Sequence, residues 1–304
     1  MKYSDSALFF NSALLFSEES MGKLANSRVA IAGIGGVGSI IAEMLARNGI
    51  GFLKLAEPDP YEDKNLNRQL FATLDTVGIN KAVAGAERIK IINPNCNVKV
   101  YESGVTLSNV RDFVQDVDVL LVQTDTESSK IIMHRVAKEF KIPLVCGSRG
   151  SIMGHRWFVR AKVWDYKKYP DLPCYDETNH QDFVGIPLEK MTQETLNAYD
   201  EMIKMKKMDI FIEYAKTRPE MFGSITQDDL LERIDTTLNF ANRHVCSVLA
   251  NTGGCLAATA TLRLLLGGPE GDLEINLWDG NNNEENFKIS PNVEAILDPT
   301  ENIN

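Results

Sequence analysis

The chain has 304 residues, which suffices for one large domain or two ordinary ones with a full hydrophobic core. Hydrophobic residues make up 44% and charged residues 24%, proportions that exclude a disordered chain. A formal net charge of -10 weighs against a non-specific nucleic-acid surface, and no uncharged apolar window is long enough to span a membrane. Five cysteines, with no C-x-x-C pair and no leader pattern before them, favour reduced thiols, and we expect a cytoplasmic protein.

Residues 1–27 are predicted to form an arm of one or two helices, with a boundary near residues 17–20. Its apolar stripe consists of Leu8, Phe9, Phe10, Leu14, Leu15 and Phe16. A stripe of this kind usually packs on its own domain, and docking on a second subunit is the alternative.

A buried strand, a glycine turn and the start of a helix follow at residues 28–38. Gly33, Gly35 and Gly38 satisfy the G-x-G-x-x-G spacing, in which backbone N–H groups approach a phosphate at the positive end of a helix. The next helix has apolar residues at the spacing of one buried face and stops at Gly49. This context favours a nucleotide phosphate over a tight turn without a ligand.

The second strand, at residues 52–56, ends at Glu57 and Asp59. An acidic residue about 20 positions after the glycine turn is where a Rossmann unit binds a ribose hydroxyl, and both residues qualify. A polar run at 61–69 precedes a helix that opens near Lys81, where the helix dipole disfavours a cation. A lysine at this position is explained if its ammonium group and the helix N-terminus bind the same phosphate. A solvated lysine without a ligand is an equally good alternative.

Three further strands are predicted at residues 98–101, 117–122 and 142–147, which gives repeated β-α units and a largely parallel sheet. Asp125 follows the middle one, at the carboxyl edge where open α/β sheets bind ligands. Its carboxylate could hold Mg²⁺ that bridges to phosphates, or it could cap the next helix.

Strands at 156–163 and 273–278, the latter in a hairpin with 286–289, and a helix at 245–266 complete the second half. We therefore expect an α/β fold: a Rossmann-like parallel sheet, extended by antiparallel strands into one mixed sheet, with a helical insertion. The expected parts of the single domain 1–304 are the arm 1–27, a nucleotide-binding half 28–165, the insertion 175–243 and a C-terminal helix and hairpin 244–290.

These residues resemble the ThiF/MoeB/HesA superfamily, whose members are relatives of the ubiquitin-activating enzymes. The resemblance covers residues 1–165 and resumes at about 245–290. It rests on the glycine loop 33–39, Glu57-x-Asp59, Asn65-Leu66-Asn67-Arg68-Gln69, Gly78-x-x-Lys81, Ile92-Asn93-Pro94 and Asp125. The most specific element is Asn-x-x-Arg-Gln followed twelve residues later by lysine.

The resemblance implies a homodimer that adenylates a carboxylate with ATP, most often the C-terminus of a ubiquitin-like or sulfur-carrier protein or of a peptide. It implies that the glycine loop cradles the phosphates, that Glu57 binds the ribose, and that Asp125 holds Mg²⁺ through the ATP phosphates. The implied nucleotide-binding residues are Gly33, Gly35, Gly36, Gly38, Glu57, Asp59, Asn65, Arg68, Gln69 and Lys81. The implied catalytic residues are Asn65, Arg68, Lys81 and Asp125. Because a carboxylate that attacks the α-phosphate brings anions together, fixed cations matter more here than an acid or a base.

The chain also departs from the family pattern. Ser12 stands where the family's arm usually carries an arginine that reaches the neighbouring subunit's ATP. The paired C-x-x-C motifs of a zinc site are missing, so no structural zinc is predicted. Cys174 is the nearest candidate for a thiol nucleophile, and nothing in the sequence around it indicates a lowered pKa. The insertion 175–243 differs most from the family and is expected to select the substrate.

Three other functions compete with this one. A modified base on a tRNA could supply the carboxylate for cyclisation, which the acidic net charge disfavours. An NAD-dependent dehydrogenase would use the glycine turn and Glu57 but would have no need of Arg68 and Lys81. A non-catalytic nucleotide-binding partner subunit would explain Ser12 and the missing nucleophile.

Overall fold

The computed structural model describes residues 3, 6–152, 156–179, 183–216, 247–269 and 271–279. Its strands are β1 (Arg28–Ala32), β2 (Phe52–Ala56), β3 (Asn97–Tyr101), β4 (Val119–Val122), β5 (Leu144–Ile152), β6 (Arg156–Trp164) and β7 (Leu273–Asp279). Its α-helices are α1 (Phe10–Asn26), α2 (Gly36–Arg47), α3 (Lys81–Ile92), α4 (Val110–Val114), α5 (Glu127–Phe140), α6 (Tyr175–Asn179), α7 (Gln193–Lys216) and α8 (Ser247–Leu266). Short 3₁₀ helices lie at Asp63–Asn65 and Leu188–Lys190.

The strands form one sheet in the order β3-β2-β1-β4-β5-β6-β7. The first five pair in parallel because a helix carries the chain back between one strand and the next, and β6 and β7 add as antiparallel strands. The predicted α/β class with one mixed sheet is confirmed. The chain leaves β1 toward β2 and returns on its other side at β4, which creates a topological switch point. Ligands of open α/β sheets bind at the carboxyl ends of the strands beside such a point.

Apolar side chains cover both faces of the sheet, because successive residues of a strand point to opposite sides. Along β4, Val119 and Leu121 belong to a core shared with α1, α2, α3 and α8, whereas Leu120 and Val122 belong to a second core with α4 and α5. A strand buried on both faces reads as a continuous apolar run, and this is how β4 was recognisable in the sequence.

Strand β5 is longer than the sequence predicts. The prediction ended it at Gly147, whereas β5 continues to Ile152 and pairs with β6 from Leu144↔Trp164 to Ile152↔Arg156. Two glycines interrupt its apolar pattern, and antiparallel pairing supplies the backbone hydrogen bonds that hold it extended.

The arm is helical, and it breaks at Ser17, whose φ of 72° and ψ of 159° leave the helical region. This break falls in the predicted boundary. The prediction that the apolar stripe packs on its own domain holds for only part of the stripe: Phe9 is buried and Phe16 is partly buried. The exposed members of the stripe are Leu8, Phe10, Leu14 and Leu15.

The described part of the insertion is helical and packs on α5. Phe183, Leu196 and Tyr199 are buried in the second core with residues of that helix. The predicted insertion residues 217–243 and the predicted hairpin strand 286–289 lie outside the described residues. Within the described chain, no helix combines the length and the apolar character needed to cross a membrane.

Candidate functional site

The glycine turn lies at the carboxyl ends of β1, β2 and β4. The Gly33 N–H donates to the Ala56 carbonyl (2.8 Å), and the Gln123 N–H donates to the Ala32 carbonyl (2.7 Å), which ties the three strand ends together. Gly33 has a φ of +92°, and a Cβ there would lie 2.6 Å from the Gln123 carbonyl oxygen. A Cβ on Gly38 would lie 1.8 Å from the Gly33 carbonyl oxygen. The turn therefore requires glycine at both positions, and it places the N-terminus of α2 at this edge of the sheet.

The Glu57 carboxylate binds the glycine turn of its own chain. Its Oε2 accepts from the Ile34 N–H at 2.8 Å, and its Oε1 accepts from the Asp59 N–H at 3.3 Å. The side chain is only 10% exposed. Burial raises the pKa of Glu57, and the nearby Lys81 charge and the Ile34 N–H oppose that rise. A ribose hydroxyl would have to donate to lone pairs that these two N–H groups leave unused.

Lys81 is buried between two carboxylates at the start of α3. Its side chain is 8% exposed, with Nζ 3.7 Å from Glu57 Oε1 and 3.6 Å from Asp59 Oδ2. Asn80 caps the helix by accepting from the Ala82 N–H at 2.9 Å, and its amide donates to the Glu57 carbonyl at 2.9 Å. This burial excludes the solvated lysine considered as the alternative. The structure thus brings Glu57, Asp59 and Lys81 together, and their predicted binding of a nucleotide stays a prediction.

The predicted residues Asn65 and Arg68 make contacts within their own turn. Asn65 is buried, and its Oδ1 accepts from the Glu62 N–H at 3.0 Å. The Arg68 guanidinium donates to the Lys64 carbonyl at 2.6 Å and to Asn67 Oδ1 at 2.9 Å. Their predicted grip on a triphosphate therefore stays a prediction.

This turn is attached to the glycine loop. The Leu70 N–H donates to Ser39 Oγ at 3.2 Å, and the Arg68 carbonyl oxygen lies 3.5 Å from where a Cβ on Gly36 would be. The Gln69 amide is buried, with Nε2 3.8 Å from where a Cβ on Gly35 would be. Residues 65–69 therefore pack directly against the glycine loop.

Asp125 is exposed on the loop between β4 and α5. Another helix supplies a capping contact to α5, for which a role of Asp125 was the alternative. Thr126 is the N-cap of α5 and makes no side-chain cap. Asp200 of α7 supplies the acceptor instead, since its Oδ1 accepts from the Ser128 N–H at 2.9 Å, and its Oδ2 accepts from the Ser128 hydroxyl.

Sequence reasoning did not single out two residues that support this edge. The buried Tyr61 hydroxyl donates to the Ile34 carbonyl at 3.2 Å and so braces the glycine loop from behind. The Gln123 amide lies at the end of β4, and its Nε2 is buried without a hydrogen-bond partner in the described structure. Neither residue has a local signal in the sequence, because the residues around Tyr61 and Gln123 in the fold are remote from them in the chain.

Cys174 is buried rather than poised for attack. Burial raises the pKa of its thiol to about 11, so the reactive thiolate is disfavoured at neutral pH. Cys255, in the apolar helix α8, is exposed. Among the residues that the structure describes, no three His, Cys, Asp or Glu side chains converge as a metal-binding group.

A cavity of about 610 Å³ lies at the opposite, amino-terminal edge of the sheet. Its lining includes Lys23, Asp118 and Leu264 and none of the predicted site residues. Since ligands of open α/β sheets bind at the carboxyl edge, we place the candidate site at the glycine turn and not at this cavity.

A glycine loop at the switch point of a largely parallel sheet defines a Rossmann-type α/β protein. The model of the ThiF family matches residues 10–295, and the chain belongs to this family.

Three relatives illustrate how far the similarity reaches. The chain is 38% identical over 147 residues to the tRNA threonylcarbamoyladenosine dehydratase of Escherichia coli (strain K12), covering 47% of this chain and 55% of that protein. A crystal structure of the E. coli dehydratase in complex with ATP gives a TM-score of 0.46 over 47% of this chain and 60% of that one. The SAMP-activating enzyme E1 of Haloferax volcanii is 32% identical over 157 residues, covering 52% of this chain and 55% of that protein.

The third relative covers nearly the whole chain. E. coli MccB, solved with AMPCPP and MccA, gives a TM-score of 0.60 at 17% identity, over 95% of this chain and 74% of that one. At this identity the likeness supports the fold alone. The chain spans about half the length of the curated relatives named above, 55% in each case.

Proposed function

We propose that this protein adenylates a carboxylate with ATP. The observation that carries the proposal is the buried Lys81, held beside Glu57 and Asp59 next to the glycine loop. A buried ammonium at a helix start favours an anionic ligand, and the glycine loop presents a second helix N-terminus to the same edge. Membership of the ThiF family and the ATP complex of the E. coli dehydratase support the choice of nucleotide.

The reaction joins two anions, and this chain's residues act on their charge. A substrate carboxylate oxygen attacks the α-phosphorus of ATP, the bond to the β-phosphate oxygen breaks, and pyrophosphate leaves. Lys81 and Arg68 would balance the charge on the phosphates, and Asp125 would hold Mg²⁺ through them. Glu57 and Asp59 keep the Lys81 ammonium in place, so its charge is positioned before the phosphates arrive.

The C-terminus of a small ubiquitin-like protein or a peptide is the first candidate substrate, supported by the likeness to the SAMP-activating enzyme. A carboxylate on a modified tRNA base is the second, supported by the 38% identity to the dehydratase. The net charge of -10 favours the first, because RNA binding gains affinity mainly from basic residues. We further propose a cytoplasmic homodimer, in which residues 175–243 select the substrate.

The proposal is tested by Mg²⁺-dependent ATP–pyrophosphate exchange, with a cell extract as the source of carboxylates. We expect Lys81→Ala and Arg68→Ala each to lower exchange by about a hundredfold, in the range typical of one lost electrostatic group. Lys90→Ala is the matched control, because Lys90 lies on the same helix, paired with Glu87 at the surface. Normal exchange in both site variants would exclude their role.

Enzymatic treatment of the extract separates the two substrates. Loss of exchange after protease treatment, with RNase without effect, identifies a protein or peptide; the reverse identifies tRNA. ATP binding without exchange in any fraction favours the non-catalytic partner subunit. Tight NAD binding without ATP binding contradicts adenylation altogether.

A further inference from the structure

The Gln123 side chain occupies a fixed place at the switch point. Its backbone is bound to β1 through the Ala32 carbonyl and lies directly beneath Gly33. Its amide lies over β5 at Gly147, where a Cβ would be 2.6 Å from Gln123 Oε1 and 3.3 Å from Nε2. Gly147 therefore leaves the space that the amide fills.

The amide nitrogen is unsatisfied in this position. Gln123 Nε2 is buried and has no hydrogen-bond partner in the described part of the chain. Near Gly35 of the glycine loop, Gln69 Oε1 is also buried and lacks a partner among the same residues. Leaving one buried polar group unpaired costs on the order of 1–3 kcal/mol, so native proteins rarely do so without a reason.

A ligand in the site would satisfy such atoms. The unsatisfied Gln123 nitrogen is a donor and needs an acceptor, whereas the unsatisfied Gln69 oxygen needs a donor. Gln123 precedes Asp125 by two residues, its backbone lies against Gly33, and its amide lies over Gly147, at the edge of the sheet where the phosphates are expected. A leucine of similar size would avoid the unsatisfied amide at this end of an apolar strand.

We infer that Gln123 Nε2 donates a hydrogen bond to an anionic oxygen in the site, either a phosphate oxygen of the nucleotide or the carboxylate oxygen of the substrate. This inference rests on the proposed function and assigns Gln123 as a further binding residue of the same site. Gly147 leaves room for the amide in this position.

The test compares Gln123→Leu with Gln115→Leu, which changes an exposed glutamine at the end of α4. Titration calorimetry with ATP, ADP and AMP in Mg²⁺ measures nucleotide affinity, thermal unfolding measures stability, and exchange uses the active extract fraction. We expect Gln123→Leu to unfold at the same or a higher temperature, because it removes an unsatisfied buried group, and to bind ATP at least tenfold more weakly. Gly147→Ala, which displaces the amide, should weaken binding in the same way.

The arms of the test separate the two anions. Equal weakening for ATP, ADP and AMP assigns the contact to the α-phosphate. Weakening for ATP and ADP but not AMP assigns it to the β-phosphate, and weakening for ATP alone assigns it to the γ-phosphate. Unchanged nucleotide affinity with at least tenfold slower exchange assigns it to the carboxylate. If Gln123→Leu has nucleotide affinities and exchange within twofold of the wild type, the inference is overturned. If the wild type itself shows no exchange, adenylation is contradicted, and the nucleotide affinities alone then test the role of Gln123.

Discussion

His134 has a strongly perturbed environment away from the site. It is buried in the second core, with Nδ1 2.9 Å from the Tyr166 hydroxyl and its ring stacked on Tyr175 at 5.2 Å between centroids. Burial lowers the pKa of His134 to about 3, and the charge of Lys130 adds to the effect. The native protein therefore holds this imidazole neutral, whereas the unfolded chain protonates it near its ordinary pKa.

This difference predicts a pH dependence of stability. Since the folded pKa is depressed, the stabilisation is present above about pH 6.5 and is lost as the pH falls toward 3. One proton changes the free energy of unfolding by about 1.4 kcal/mol per pH unit in that window. We expect His134→Gln, which does not titrate, to have a lower slope in denaturant titrations at pH 7, 6 and 5, with the difference approaching this amount between pH 6 and 5. Identical slopes in both proteins would contradict the assignment.

At the scale of secondary-structure elements, the insertion packs on α5. Arg135 pairs with Asp176 at 2.6 Å, and the Tyr175 hydroxyl donates to Glu127 Oε2 at 2.8 Å. Asp200 adds the contact at the N-terminus of α5, directly after the loop that carries Asp125. Because these contacts accompany buried apolar residues, deletion of the whole insertion would expose the second core to solvent. Single substitutions therefore test the contacts of the insertion better than a deletion does.

Asp200→Ala tests the capping contact. We expect the free energy of unfolding to fall by about 1–2 kcal/mol, the usual cost of a lost helix cap. Glu201→Ala is the matched control, because the neighbouring Glu201 side chain is 71% exposed. Amide hydrogen exchange at residues 126–129 should accelerate in Asp200→Ala alone. Equal effects of the two substitutions in urea unfolding would show that the cap contributes nothing specific.

At the scale of the whole molecule, the arm presents an apolar surface. Leu14 is 66% and Leu15 77% exposed on α1, while Phe9, directly before this helix, is buried in the core. The inner side of the arm thus packs on its own domain, and the outer side is suited to a second copy of the chain. This agrees with the proposed homodimer and with the alternative that the apolar stripe of the arm docks on a second subunit.

We expect the double substitution Leu14→Glu/Leu15→Glu to convert a dimer into a monomer in sedimentation velocity while the monomer stays folded by circular dichroism. Charged side chains on both sides of a symmetric apolar contact would repel each other. Ile91→Glu is the control, because Ile91 is also a largely exposed aliphatic residue, on α3. A dimer that persists in the double variant would place the interface elsewhere, and a wild type that is monomeric at all concentrations would contradict the homodimer.

Much of the fold and part of the site could be read from the chain. The glycine turn, the ends of β2 and β4 and the start of α3 all depend on neighbours in sequence, through backbone conformation, apolar runs and helix caps. Glu57, Asp59 and Lys81 were predictable because each lies at such an end. Gln123 and Asp200 were not, because the neighbours of each come from segments remote in the chain.

The sequence by itself determined the β-α repeat, the glycine loop and the residue types at the edge of the sheet, since these follow from short-range periodicity and sterics. Tertiary structure alone decided which side chains are in contact at this edge. The Glu57 carboxylate reaches back 23 positions to the Ile34 N–H, and Asp200 caps a helix 72 positions earlier. Such hydrogen bonds form between groups that only the folded sheet brings together, and no local pattern encodes them.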